Sequence, residues 1–121
     1  VGLGGKDKVS AGDGNYIICL DEGNDKVVIG SGESVIDSGN GNDKITTGNG
    51  NQWVKTGTGN DKITTGSGDD TINAGEGNNK VWSNGGDDSI TTGADNDKID
   101  GGADTDTCNA GAGFNTVLNC P

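Results

Sequence analysis

The 121 residues carry a formal net charge of −11, with 25 glycines, one proline, no histidine and only 27% apolar side chains. This composition is too poor in apolar residues for an ordinary globular core, and the acidic chain repels itself unless cations are bound. It contains no apolar run long enough to span a membrane, and its charge disfavours polyanions. We therefore expect no membrane insertion and no nucleic-acid partner.

The first element along the chain centres on Val9. From there every ninth residue is aliphatic or, once, a cysteine. Thirteen nonapeptides fill residues 2–118 without an insertion. A short fixed period indicates a solenoid, because a single repeat cannot bury its apolar residue alone. The predicted core residues are Val9, Ile18, Val27, Ile36, Ile45, Val54, Ile63, Ile72, Val81, Ile90, Ile99, Cys108 and Val117.

The best copies of the repeat run from Ser38 to Thr46 and from Thr56 to Thr64. Six residues rich in Gly, Asn and Asp favour a turn, and the last three favour a short strand. Two repeats then make one coil of 18 residues, with odd and even repeats on opposite sides. Asp and Asn can replace a turn glycine at small cost, whereas Leu3 predicts an irregular first turn. The replaced glycine positions are Leu3, Asp21, Asn84, Asp95 and Asp104.

Over residues 2–118 the pattern resembles the glycine-rich nonapeptide repeats of RTX proteins, G-G-x-G-x-D-x-U-x. The resemblance implies an all-β fold, a parallel β-roll or β-solenoid. It also implies Ca²⁺ held between successive turns of one side by aspartate carboxylates and turn carbonyls. We expect residues 1–121 to form a single roll with a C-terminal cap over 108–121.

The sixth position of the repeat differs between the two sides. On the odd side it is always aspartate or asparagine, whose side-chain oxygens are hard ligands. Such ligands favour calcium, which accepts irregular geometry. We expect several calcium ions along the odd edge, with weaker sites beside the two asparagines, and calcium only along the C-terminal half of the even edge. The alternative is that these residues merely form solvated turns. The odd rank is Asp7, Asp25, Asp43, Asp61, Asn79, Asp97 and Asn115; the even rank is Tyr16, Ser34, Gln52, Asp70, Asp88 and Asp106.

The outward position before each odd core residue forms a ladder of lysines. Stacked like charges are unfavourable unless solvent, carboxylates or an anionic partner relieve them. The ladder either solubilises this face or binds an anionic ligand such as a polysaccharide or an acidic protein surface. Its members are Lys8, Lys26, Lys44, Lys62, Lys80 and Lys98.

The equivalent even position begins with an apolar strip, Ile17, Val35 and Trp53, in the repeats that lack the sixth-position aspartate. A contiguous exposed apolar patch indicates an interface, although a few tolerated surface residues would give the same pattern. Cys19 lies beside the strip as a free thiol or an intermolecular bridge. Trp82 on the other side is predicted to be isolated.

The C-terminus carries the signs of a cap. We predict a Cys108–Cys120 disulfide, which indicates an oxidising compartment, and expect Phe114 and Leu118 to cover the last coil. The chain begins at Val1 without a signal-like segment, from which we expect a processed product or an excised fragment.

No pattern favours catalysis, since the chain has no histidine and no nucleophile beside a base. We predict a calcium-stabilised extracellular or cell-surface structural protein, such as an adhesin or filament subunit. It would associate with itself or with other surface proteins through the roll ends and the apolar strip.

The sequence also fits two alternative functions. An ice-binding roll is suggested by the flat fifth-position rank Asn24, Asn42, Asn60, Asn78 and Asn96, although charged Glu22 and Glu76 interrupt the third-position rank. A secretion or folding module of a larger exoprotein would be unfolded without calcium and folded outside the cell.

Overall fold

The computed structural model describes residues 4–121, and within them every regular element is a three-residue strand. None of these residues forms a helix long and apolar enough to cross a membrane. Six-residue turns separate the strands, as the repeat predicts. The strands are β1 (Lys8–Ser10), β2 (Ile17–Cys19), β3 (Lys26–Val28), β4 (Val35–Asp37), β5 (Lys44–Thr46), β6 (Trp53–Lys55), β7 (Lys62–Thr64), β8 (Thr71–Asn73), β9 (Lys80–Trp82), β10 (Ser89–Thr91), β11 (Lys98–Asp100), β12 (Thr107–Asn109) and β13 (Thr116–Leu118).

The strands form two parallel sheets that face each other across the core. The odd strands make a seven-stranded sheet and the even strands a six-stranded sheet, each in sequence order. Each residue pairs with the residue 18 positions later, as in Val27 with Ile45 and Ile36 with Val54. The predicted all-β parallel solenoid with two repeats per coil is therefore confirmed.

The eighth position of the repeat forms the predicted aliphatic core. From Val27 to Ile99 these side chains are at most 1% exposed. Val9, Ile18 and Cys108 pack against this core but are only partly buried, and Val117 in the last strand is 41% exposed. Stacking therefore buries the eighth-position side chains of the inner coils. Those of the terminal coils stay partly exposed to solvent, because these coils have a neighbour on one side only.

A second buried rank, at the first position of the repeat, was not predicted from the sequence. This rank consists mostly of small and hydroxyl-bearing side chains, and together with the aliphatic rank it fills the narrow interior. The hydroxyl of Thr56 donates to the Ala74 carbonyl at 2.9 Å, and that of Ser83 donates to the Gly101 carbonyl at 2.8 Å. The buried members are Ile29, Ser38, Thr47, Thr56, Thr65, Ala74, Ser83 and Thr92.

The fourth-position glycines are required by close backbone stacking. Gly41 has φ +133°, and a Cβ there would lie 1.6 Å from the Gly23 carbonyl oxygen of the preceding coil. As expected, Asp95 (φ 89°) and Asp104 (φ 80°) take up a positive φ at this position. The expectation for Leu3 lies outside the described residues.

The C-terminal end is closed by a disulfide but not by apolar side chains. The predicted Cys108–Cys120 bond is present. The prediction that Phe114 and Leu118 cover the last coil is wrong, since these side chains are 92% and 45% exposed. Phe114 occupies the outward fifth turn position, where its N–H donates to Asn96 Oδ1 at 2.8 Å, so its ring points away from the core.

Ile63→Ala is expected to lower the free energy of unfolding by about 2–5 kcal/mol, because a fully buried isoleucine is replaced by a cavity. Phe114→Ala is the control, since that side chain is 92% exposed and lies outside the apolar strip. Its expected cost is within about 0.5 kcal/mol. Denaturant titration in saturating calcium measures both, and equal losses would contradict the assigned core.

Candidate metal sites

The sixth-position side chains from Asp25 to Asp106 are almost completely buried, while Asp7, Tyr16 and Asn115 near the ends are partly buried. On the odd edge the backbone N–H of Asp25 donates to Asp43 Oδ1 and that of Asp43 donates to Asp61 Oδ1, both at 2.8 Å. The even edge repeats this between Asp70 and Asp88. One carboxylate oxygen therefore ties each coil to the coil before it. Buried members of the rank are Asp25, Ser34, Asp43, Gln52, Asp61, Asp70, Asn79, Asp88, Asp97 and Asp106.

The second carboxylate oxygen of most of these aspartates is buried without a hydrogen-bond partner. Leaving a buried acceptor unsatisfied costs about 1–3 kcal/mol, and more when it is charged. Asp43 is the exception, because its Oδ2 accepts the Ser38 hydroxyl at 2.6 Å. The unpartnered atoms are Oδ2 of Asp7, Asp25, Asp61, Asp70, Asp88, Asp97 and Asp106.

Turn carbonyls two residues before the sixth-position side chains supply further oxygen atoms. Within residues 4–121, no backbone N–H donates to the fourth-position carbonyls of Gly23, Gly41, Gly59 or Gly68. No three carboxylate or cysteine side chains come together among the same residues. A bound cation would therefore have to combine carboxylate oxygens with backbone carbonyls, which is a donor set that suits calcium.

Burial also changes the acidity of these groups in the absence of metal. Desolvation raises the pKa of Asp61 and of Asp70 to about 6. It likewise raises the pKa of Asp43 and of Asp88 above the ordinary aspartate value. The rank is therefore poorly suited to carrying bare negative charge and well suited to compensation by a cation.

A parallel solenoid whose turns present buried carboxylate oxygens beside unpaired carbonyls belongs to the class of calcium-binding β-rolls. The sequence profile described as the RTX calcium-binding nonapeptide repeat matches the chain in four copies, at residues 1–27, 21–51, 46–81 and 82–117. The chain therefore belongs to the RTX repeat family, whose nonapeptide repeats bind Ca²⁺. No curated protein and no solved structure matches it significantly.

The N-terminal half of the even edge lacks the carboxylates found elsewhere. Ser34 Oγ accepts the Tyr16 N–H at 3.1 Å, and the Tyr16 hydroxyl donates to the Asp13 carbonyl, also at 3.1 Å. At the sixth position the first two even turns are thus linked by neutral groups. Calcium only along the C-terminal half of this edge stays a prediction.

The lysine ladder lies in register along the exposed face of the odd sheet, with Lys44 directly opposite Lys62. Among the described residues the one ion pair joins Lys55 to Asp37, so no ladder lysine is paired with a carboxylate. Trp82 lies apart from the apolar strip, between two ladder lysines: its ring centroid is 5.4 Å from Lys62 Nζ and 5.7 Å from Lys98 Nζ. An anionic ligand for this face stays a prediction.

The fifth-position asparagines have a structural role that the sequence reasoning missed. Asn42 Oδ1 accepts the Asn60 N–H at 2.7 Å, and the same bond recurs from Asn78 to Asn60 and from Asn96 to Asn78. Their regular spacing is explained by these bonds between coils. The regularity therefore does not by itself favour ice binding.

Proposed function

We propose that this chain is a calcium-stabilised extracellular structural module that associates with further copies of itself. Calcium supplies the charge compensation that the buried carboxylates lack, and the ordered roll then presents a fixed apolar surface. We assign the metal ligands to the sixth-position aspartates together with the neighbouring fourth-position carbonyls. The assigned aspartates are Asp7, Asp25, Asp43, Asp61, Asp70, Asp88, Asp97 and Asp106.

The observation that carries self-association is the exposed apolar strip of the even sheet. Ile17 is 82% exposed, and Val35 and Trp53 are each 41% exposed. The three residues stand directly beside one another in neighbouring strands, so they form one continuous patch. Exposed apolar side chains in one patch, with a tryptophan among them, are typical of an interface.

The C-terminal end of the roll supports the same proposal. The last strand of the odd sheet, β13, pairs on one side only and leaves its strand edge free among the described residues. Val117 and Leu118 in this strand are 41% and 45% exposed. A free parallel edge with apolar side chains favours addition of another strand, and a head-to-tail contact of this kind can extend into a filament.

An oxidising environment is supported by the disulfide between Cys108 and Cys120. Cys19 is exposed beside the strip and unbonded within the described chain, so it can link two copies covalently. The proposed role is non-catalytic: the interior is filled by two ranks of side chains, and the turns hold metal for stability.

Self-association is tested by sedimentation velocity in calcium over a range of protein concentrations. The wild type is expected to gain mass with concentration, and Val35→Ser combined with Trp53→Ala is expected to weaken association at least tenfold, about 1.4 kcal/mol. Trp82→Ala is the matched control, because that tryptophan lies on the opposite sheet.

A wild type that stays monomeric at all concentrations would overturn the self-association. Equal weakening by Trp82→Ala would show that the strip is not the contact. Electrophoresis without reductant distinguishes a Cys19-linked dimer from a purely non-covalent one.

A further inference from the structure

Asn79 stands in the metal-site rank, but all its side-chain polar atoms are paired. The side chain is 1% exposed, and its Oδ1 accepts the Asp61 N–H at 2.9 Å. Its Nδ2 donates to the carbonyls of Gly75 at 3.0 Å and Gly77 at 3.1 Å, which belong to its own turn. In the same rank, Asp61 and Asp97 each keep a buried Oδ2 without a partner.

Two other amides of the sixth position also donate to turn carbonyls. Asn115 Oδ1 accepts the Asp97 N–H, while its Nδ2 donates to the carbonyls of Ala110 and Gly111. Gln52 Nε2 donates to Gly50 at 3.1 Å and to Gly32 in the preceding coil at 2.5 Å. Gln52 Oε1 is buried without a partner, so this turn reproduces only the donor half of the arrangement.

Asn79 and Gln52 donate to fourth-position carbonyls, the same carbonyls that are assigned to calcium in the aspartate turns. The ion attracts carbonyl oxygens by charge, whereas the amide donates two N–H bonds and brings no negative charge that needs compensation. Amide hydrogens directed at these carbonyls repel a cation, so the amide and the ion compete for one turn. Asn79 Oδ1 already accepts the Asp61 N–H from the preceding coil, which leaves only its second lone pair for a cation.

We propose that the side-chain amides of Asn79, Asn115 and Gln52 take the place of calcium in their own turns, which are therefore closed without metal. This inference rests on the calcium-binding role assigned above. The odd edge then consists of a calcium-dependent stretch from Asp7 to Asp61, a metal-independent turn at Asn79, one aspartate turn at Asp97 and a metal-independent last turn. The earlier expectation of weak calcium sites at the asparagines becomes one of no site.

Asn79→Asp tests this, because the two side chains have nearly the same shape. The variant exchanges two N–H donors for a second carboxylate oxygen and should behave like Asp61. Calcium binding counted by equilibrium dialysis is expected to rise by at least one ion per chain. Circular dichroism should show the variant folded in saturating calcium, with a higher calcium concentration at half-folding than the wild type needs.

Asp61→Asn is the reciprocal variant, and it is expected to bind at least one ion fewer while remaining folded. An unchanged count in either variant, or failure of Asn79→Asp to fold in calcium, would overturn the proposal. A wild type that binds no calcium would instead overturn the calcium-dependent function itself. The two failures are therefore distinguished by the wild-type count alone.

Discussion

Withdrawing calcium with a chelator at neutral pH is expected to abolish the β-structure of the chain, and adding calcium back should restore it. The roll buries carboxylate oxygens that have no hydrogen-bond partner, and the whole chain has a net charge of −11. Without cations these charges are desolvated and repel one another, while calcium binding to the folded state stabilises it. Far-UV circular dichroism during a calcium titration measures the transition.

Magnesium is the control ion in this experiment. It has the same charge as calcium but requires a stricter octahedral geometry and loses its water reluctantly. It should therefore restore much less structure at equal concentration. A chain equally ordered with and without calcium would show that the turns carry their own stability, and the proposed role would fail.

Acid is expected to restore structure to the metal-free chain. Burial raises the folded-state pKa of Asp61 and Asp70 to about 6, from 3.8 for an unperturbed aspartate. A group with a raised folded pKa contributes stability that is fully present below its unfolded pKa and is lost as pH rises through its folded pKa. The metal-free fold should therefore be most stable near pH 4 and lose stability up to about pH 6. Circular dichroism in chelator across this range checks the direction.

Asp70→Asn separates this effect from the general loss of negative charge in acid. The variant cannot ionise at that position. In chelator it should therefore keep more β-structure at neutral pH than the wild type, and its stability should depend less on pH. Asp21→Asn is the control, because that side chain is exposed in its turn. Identical profiles for both variants would mean that overall repulsion, and not burial of Asp70, causes the dependence.

The repeat register made the main architecture predictable from the sequence. An unbroken period of nine placed Val27, Ile63 and Ile99 in one core rank, and the alternation of a three-residue strand put the lysines outside. The disulfide was predictable because Cys108 occupies a core position near the chain end. The sixth-position aspartates were singled out because they recur at the same point of each repeat, and the structure buries most of them, while their role as metal ligands stays a prediction.

Other features depend on hydrogen bonds and packing in the folded coils, which the residue types alone do not indicate. Thr56 and Ser83 look like ordinary turn residues, and only the stacked coils show that their hydroxyls reach the next turn. Phe114 looked like a cap because it is large and apolar, but its backbone position directs the ring outward. The role of Asn79 was hidden for the same reason, because its amide and the turn carbonyls meet only in the folded coil.

The pairing of each strand residue with the one 18 positions later limits how a roll of this kind can change in length. Insertion or deletion of nine residues would preserve the core period but transfer every downstream repeat to the opposite sheet. A nine-residue insertion between Trp53 and Asp61, for example, would pair Lys62 with Trp53 and place Asp61 beside Gln52. A change of 18 residues leaves both sheets and both metal edges in phase, so the unit of growth is the coil and not the nonapeptide.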